Sequence, residues 1–149
     1  MSFGILRKLI IIQLFLLFVQ FSIGMWNNLF ALIPLNGPFK FFIYSGGIEV
    51  LAHITNGALV LAVGFAIVWF SFKTKISLAS ILSILAVAFT VSAIGNGTVF
   101  LEIFSTPSFY NIDNYFSMAM AISFLLVFTA LFSELFIVKK DSALTENKP

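Results

Sequence analysis

The chain has 149 residues, 60% hydrophobic and only 9% charged, with a mean hydropathy of +1.10. Soluble domains carry about 25% charged residues to cover their surface, so this composition excludes one. The net charge of +2 is no nucleic-acid signal, and the absence of cysteine excludes disulfides, thiol catalysis and thiolate metal sites.

The first apolar run covers residues 9–33. Spanning a bilayer takes about 20 apolar residues in a helix, so this run suffices. It follows Arg7 and Lys8, as a signal peptide would, but exceeds the usual apolar core of about 7–15 residues and has no small-residue cleavage site after it. A retained helix is expected. Pro34, Gly37 and Pro38 end it, and Gly46-Gly47 precede the next run, 48–72. The link FKTK leads to a third run, 76–103, and FSTPSFYNIDN to a fourth, 115–138. The tail from 141 to 149, DSALTENKP, is polar and reads as disordered. The fold class expected is an all-α membrane protein, an antiparallel bundle of four transmembrane helices over residues 1–140, since short links make neighbouring helices antiparallel. Alternating ten-residue strands are absent, which argues against a barrel.

Charge sets the expected orientation. Arg7, Lys8, Lys73, Lys75, Lys139, Lys140 and Lys148 lie at the termini and the second link, and only Lys40 lies in the other two links. The positive-inside rule then puts both termini in the cytoplasm of a multi-pass protein of the cell membrane. Trp26 and Tyr44 near one boundary and Trp69 near the other fit aromatic belts.

On the second run Glu49, His53, Asn56, Gly57 and Gly64 recur at helical spacing on one face, with Val60 among them. The opposite face carries Leu51, Ala58, Ala62, Phe65 and Trp69. Polar groups facing lipid are costly and small residues allow close approach, so the stripe is expected to face the bundle interior. His53, the only histidine, lies roughly 8 Å inside the outer end at 1.5 Å per residue. Other outer ends supply Trp26, Asn27 and Asn28 with Gln20 deeper, then Gly95, Asn96, Gly97, Thr98 and Glu102, then Asp113, Ser117, Met118 and Met120. One outer pocket is expected, lined by Glu49, His53, Asn56, Asn96 and the start of helix four. The inner half has Gln13, Ser77, Ser80, Ser83, Ser133 and Glu134, and Glu134 reads as interfacial beside Lys139 and Lys140. The Asn96-Gly97-Thr98 sequon falls within a span and is discounted.

A zinc site needs three or four suitably spaced ligands, and a hydrolytic pair needs an activated hydroxyl; neither pattern is present. Haem needs one or two axial ligands, which His and Met both supply, and helix bundles hold cofactors between inward side chains. Haem b is thus the cofactor the inventory supports, with His53 on the iron and Asn56, Asn96 and Met118 around it. Two other readings stand beside it. The stripe is interhelical glue in a non-catalytic subunit or scaffold, bound to other membrane subunits or to copies of itself; or Glu49, His53 and Asn56 line a proton or small-solute path.

The stretch Glu49-Val-Leu-Ala-His53-Ile-Thr-Asn-Gly57, followed by a long aliphatic span, resembles the second helix of the haem A synthase family. That family places a glutamate shortly before an axial histidine near the outer end of a helix. Its full-length members resemble two four-helix halves, and this chain has the length of one. The resemblance implies a haem ligand at His53, an acidic catalytic residue at Glu49 and, for an enzyme, a haem-modifying oxidoreductase. The chain departs from the pattern: Glu49 precedes His53 by four positions rather than three, Ile54 stands where an arginine often follows, and NYFSMAMAISF on helix four lacks the second histidine. Met118 or Met120 is the substitute ligand available there.

Overall fold

The computed structural model describes residues 2–30, 47–104 and 113–146, with side chains for 3–27, 29–30, 48–99 and 115–140. Four α-helices make up these residues: α1 (Ser2–Phe30), α2 (Gly47–Thr74), α3 (Ser77–Phe104) and α4 (Asp113–Glu146). Each contains a window long and apolar enough to cross a membrane: Phe3–Asn27, Ile48–Thr74, Ser77–Val99 and Tyr115–Lys140. No strand occurs among the described residues. The first and third predicted links lie largely outside them, as do the side chains of Asn28, Lys40, Tyr44, Glu102 and Asp113.

The helices form a four-membered ring. Helix α1 packs on α2 and α4, and α3 packs on α2 and α4, leaving the diagonal pairs with only slight contact. The cause is legible in the buried positions. On α1 these are Leu6, Ile10, Gln13 and Leu17; on α4 they are Val127, Ala130, Leu131, Glu134 and Val138. Steps of three and four residues put each set on one helical face. On α3 the buried positions carry short side chains, Ala79, Ser80, Ser83, Ala86 and Thr90, which let α4 approach closely. Phe15, Phe18, Leu29, Phe65, Trp69 and Leu125 point outward, each at least 58% exposed. Monomers in water rarely expose large apolar patches, so this surface suits a hydrocarbon solvent.

Two boundaries differ from the predicted ones. Helix α1 begins at Ser2 rather than near residue 9, because Arg7 and Lys8 are good helix formers exposed on its surface. Residues 31–33 of the first predicted run lie outside the described residues. Helix α4 continues through 141–146 to Glu146, so most of the tail expected to be disordered is helical. Ala143, Leu144 and Glu146 favour helix, and a helix already formed adds residues more easily than it nucleates. Between α2 and α3 stand only Lys75 and Ile76. Lys75 has a φ of 60°, the left-handed conformation that commonly terminates helices. Its amide donates to the Phe72 carbonyl at 3.3 Å, and Thr74 Oγ1 accepts from the Ile76 amide while donating to the Ser71 carbonyl at 2.7 Å. Lys73 lays its ammonium over Trp69 and Phe70, 4.8 and 5.3 Å from the ring centroids.

Candidate functional site

The polar stripe of α2 faces inward as its spacing predicts. Asn56, Val60 and Gly64 are buried, Glu49, His53 and Gly57 half-buried, and Leu51, Ala58, Ala62, Phe65 and Trp69 exposed on the far side. Its partner is α1. Gln13 Nε2 donates to the Val60 carbonyl at 2.7 Å. Asn56 Nδ2 donates to the Leu16 carbonyl at 3.0 Å and to Gln20 Oε1 at 2.8 Å. Gln20 Nε2 lies 3.1 Å from His53 Nε2. Nearest the end away from the termini, Asn27 Nδ2 donates to the Glu49 carbonyl at 3.2 Å. Glycines admit these long side chains. A Cβ on Gly24 would stand 3.0 Å from His53 Cε1, and one on Gly57 would stand 3.3 Å from Gln20 Nε2.

These partners fix the proton on His53. The Leu16 carbonyl only accepts, so the Asn56 nitrogen must face it. That same nitrogen meets Gln20 through Oε1, which leaves the Gln20 amide nitrogen toward the imidazole. His53 Nε2 therefore accepts, and the neutral ring carries its hydrogen on Nδ1, which is buried without a partner among the described residues.

The other candidate residues lie apart from this seam. Asn96, half-buried on α3, donates back to the Ser92 carbonyl at 2.8 Å within its own helix. Met118 is 58% exposed on α4. Met120 is the inward methionine, its Sδ lying 3.2 Å from where a Cβ on Gly97 would stand. The expected lining of one pocket by α2, α3 and α4 is thus a pairing of α2 with α1. Gln20 and Gly24 are its members that sequence reasoning underused. Their signal was available: Gln13, Gln20, Gly24 and Asn27 recur at seven, four and three positions, one stripe on α1.

Haem fits these residues poorly. An axial ligand needs an open face at a ring nitrogen. Here Gln20 covers Nε2, the α1 backbone at Gly24 lies against the ring, and the amide partners orient the Nε2 lone pair at Gln20 rather than at a cavity. Among the described residues no group of three or more His, Asp or Glu side chains gathers as metal ligands.

A second polar cluster lies nearer the termini. Glu134 is fully buried, which corrects its reading as an interfacial residue. Its place in the Val127–Leu131–Glu134–Val138 register turns it into the bundle rather than toward Lys139 and Lys140. Ser71 of α2 lies 2.5 Å and Ser83 of α3 3.3 Å from Glu134 Oε1, while Oε2 is buried without a partner among the described residues.

No protein-family model, curated protein or solved structure matches the chain.

Proposed function

We propose that the chain is a multi-pass protein of the cell membrane, both termini cytoplasmic, acting as a non-catalytic helical subunit or scaffold within a larger membrane assembly or a homo-oligomer. The observation that carries this reading is the α1–α2 seam. His53 and Asn56, the side chains best suited to chemistry, are engaged by Gln20 and the Leu16 carbonyl. Such bonds hold two helices in register in a bilayer, each contributing about 0.6 kcal/mol on average. A partner's place is supported by the outer stretch of α3. Ser92, Gly95 and Thr98 are exposed there, and no described residue lies within 4 Å of where a Cβ on Gly95 would stand. Bare backbone beside small polar groups suits the close approach of another helix, whereas lipid gains nothing from it.

The experiment is mild solubilisation followed by native mass spectrometry and an absorption spectrum, oxidised and reduced. The expected result is a defined complex larger than the 16.5 kDa chain, with no Soret band. Disulfide cross-linking of Gly95→Cys in native membranes should trap the same partner. A monomer with a Soret band that disappears in His53→Ala would overturn the reading and restore haem handling.

A further inference from the structure

The polar seam serves helix pairing, but Glu134 does not belong to it. Interhelical glue needs only an amide or a hydroxyl, and a carboxyl buried at membrane depth is a costlier choice than either. Hydrogen counting around it is informative. Ser71 Oγ lies 2.5 Å from Glu134 Oε1 and is its donor. Ser83 has one hydroxyl hydrogen and three acceptors, the Ala79 carbonyl at 2.7 Å, Glu134 Oε1 at 3.3 Å and the Ser80 carbonyl at 3.4 Å. The shortest bond takes the hydrogen. Ser83 Oγ then faces Oε1 lone pair to lone pair, unless Oε1 carries a hydrogen of its own. With a hydrogen on Oε1 every bond is satisfied in one direction: Ser71 to Glu134, Glu134 to Ser83, Ser83 to the Ala79 carbonyl.

We infer that Glu134, with Ser71 and Ser83, forms a reversible proton-binding site buried in the half of the bundle nearest the termini and reached from the α2–α3 turn. This goes beyond the scaffold reading and does not depend on it. A cleft at that turn is lined by Phe72, Lys75, Ser77, Ser80, Ile81 and Ile84. Ser80 links it to the site, its carbonyl lying 3.4 Å from Ser83 Oγ. On release the O–H bond of the carboxyl breaks, its electron pair stays on the carboxylate, and the proton passes to water. Ser83 then turns its hydroxyl from the Ala79 carbonyl to Oε1, so the anion keeps two donors. Uptake reverses both movements. The charged groups at this end are Lys73 and Lys75 at the turn, Arg7 and Lys8 exposed on α1, and Lys139 and Lys140 one to two turns along α4. The groups found against the carboxyl itself are the two serines.

Infrared difference spectroscopy of the full chain in lipid nanodiscs tests this. The wild type should show a protonated-carboxyl C=O band at neutral pH that shifts in D2O, disappears reversibly in alkali and is missing from Glu134→Gln. Ser83→Ala removes the acceptor of the carboxyl hydrogen and should move the band to higher frequency. That variant also assigns the band should Glu134→Gln fail to assemble. Absence of the band at every pH would mean a permanent carboxylate. A band indifferent to D2O and alkali would mean a sealed structural acid, and one unmoved by Ser83→Ala would place it elsewhere. Each of those three results overturns the inference.

Discussion

Gly24→Ala is the smallest change that strains the α1–α2 seam. The added Cβ would stand 3.0 Å from His53 Cε1 and 3.6 Å from Nδ1. Carbon atoms rest at about 3.5–4.0 Å, so the ring must retreat by roughly 0.5 Å. The same retreat lengthens the 3.1 Å approach of His53 to Gln20 toward the limit of hydrogen bonding. Overpacking costs about 1–3 kcal/mol and a lost interhelical bond about 0.6 kcal/mol, so a loss of about 1–3 kcal/mol is expected. The assay is equilibrium unfolding in mixed detergent micelles, run as a double-mutant cycle with His53→Ala. Without the imidazole, the alanine meets open space and its cost should fall below about 0.5 kcal/mol, a coupling of about 1–2 kcal/mol. Gly95→Ala is the control, since no described residue lies within 4 Å of its Cβ. Equal costs of Gly24→Ala with and without His53 would refute the packing of this ring on α1.

Three further outcomes are expected. Gln13→Met should cost under about 1 kcal/mol, because it removes a buried unpartnered Oε1 along with one bond, whereas Asn56→Ala should cost more by removing two bonds and leaving Gln20 Oε1 without its donor; unfolding of the two variants side by side compares them. Lys75→Gly should raise the midpoint of thermal unfolding, since the left-handed conformation costs an L-residue about 1–2 kcal/mol that glycine avoids. In whole cells, Tyr115→Cys should react with an impermeant maleimide from outside and Lys73→Cys should not; the reverse pattern would invert the proposed orientation.

The four helices and the inward face of α2 were legible in the sequence because lipid leaves few choices: a long apolar run forms a helix, and its polar stripe turns inward. What the stripe would meet was not legible. Periodicity says which residues share a face but not which helix lies opposite, so Asn96 and Met118 were grouped with His53 although one bonds its own helix and the other points outward. Glu134 was misjudged for a related reason. Nearby lysines suggested an interface by proximity along the chain, while the helical register with Val127, Leu131 and Val138 carried the better signal. The proton position on His53 lay beyond any sequence reading, because it follows from the Leu16 carbonyl, a backbone atom whose place depends on how α1 and α2 dock.

The two-residue turn at Lys75 and Ile76 bears on how the chain enters a bilayer. Two residues reach about 7 Å, too little for one helix to lie across the membrane while the other waits outside. In the proposed membrane setting α2 and α3 therefore enter as one hairpin. Until that hairpin arrives, α1 stands in hydrocarbon with Gln13 and Gln20 lacking the partners that α2 supplies, the Val60 carbonyl and the side chains of His53 and Asn56. Helix α1 is thus poorly settled alone, and its amides draw the hairpin against it.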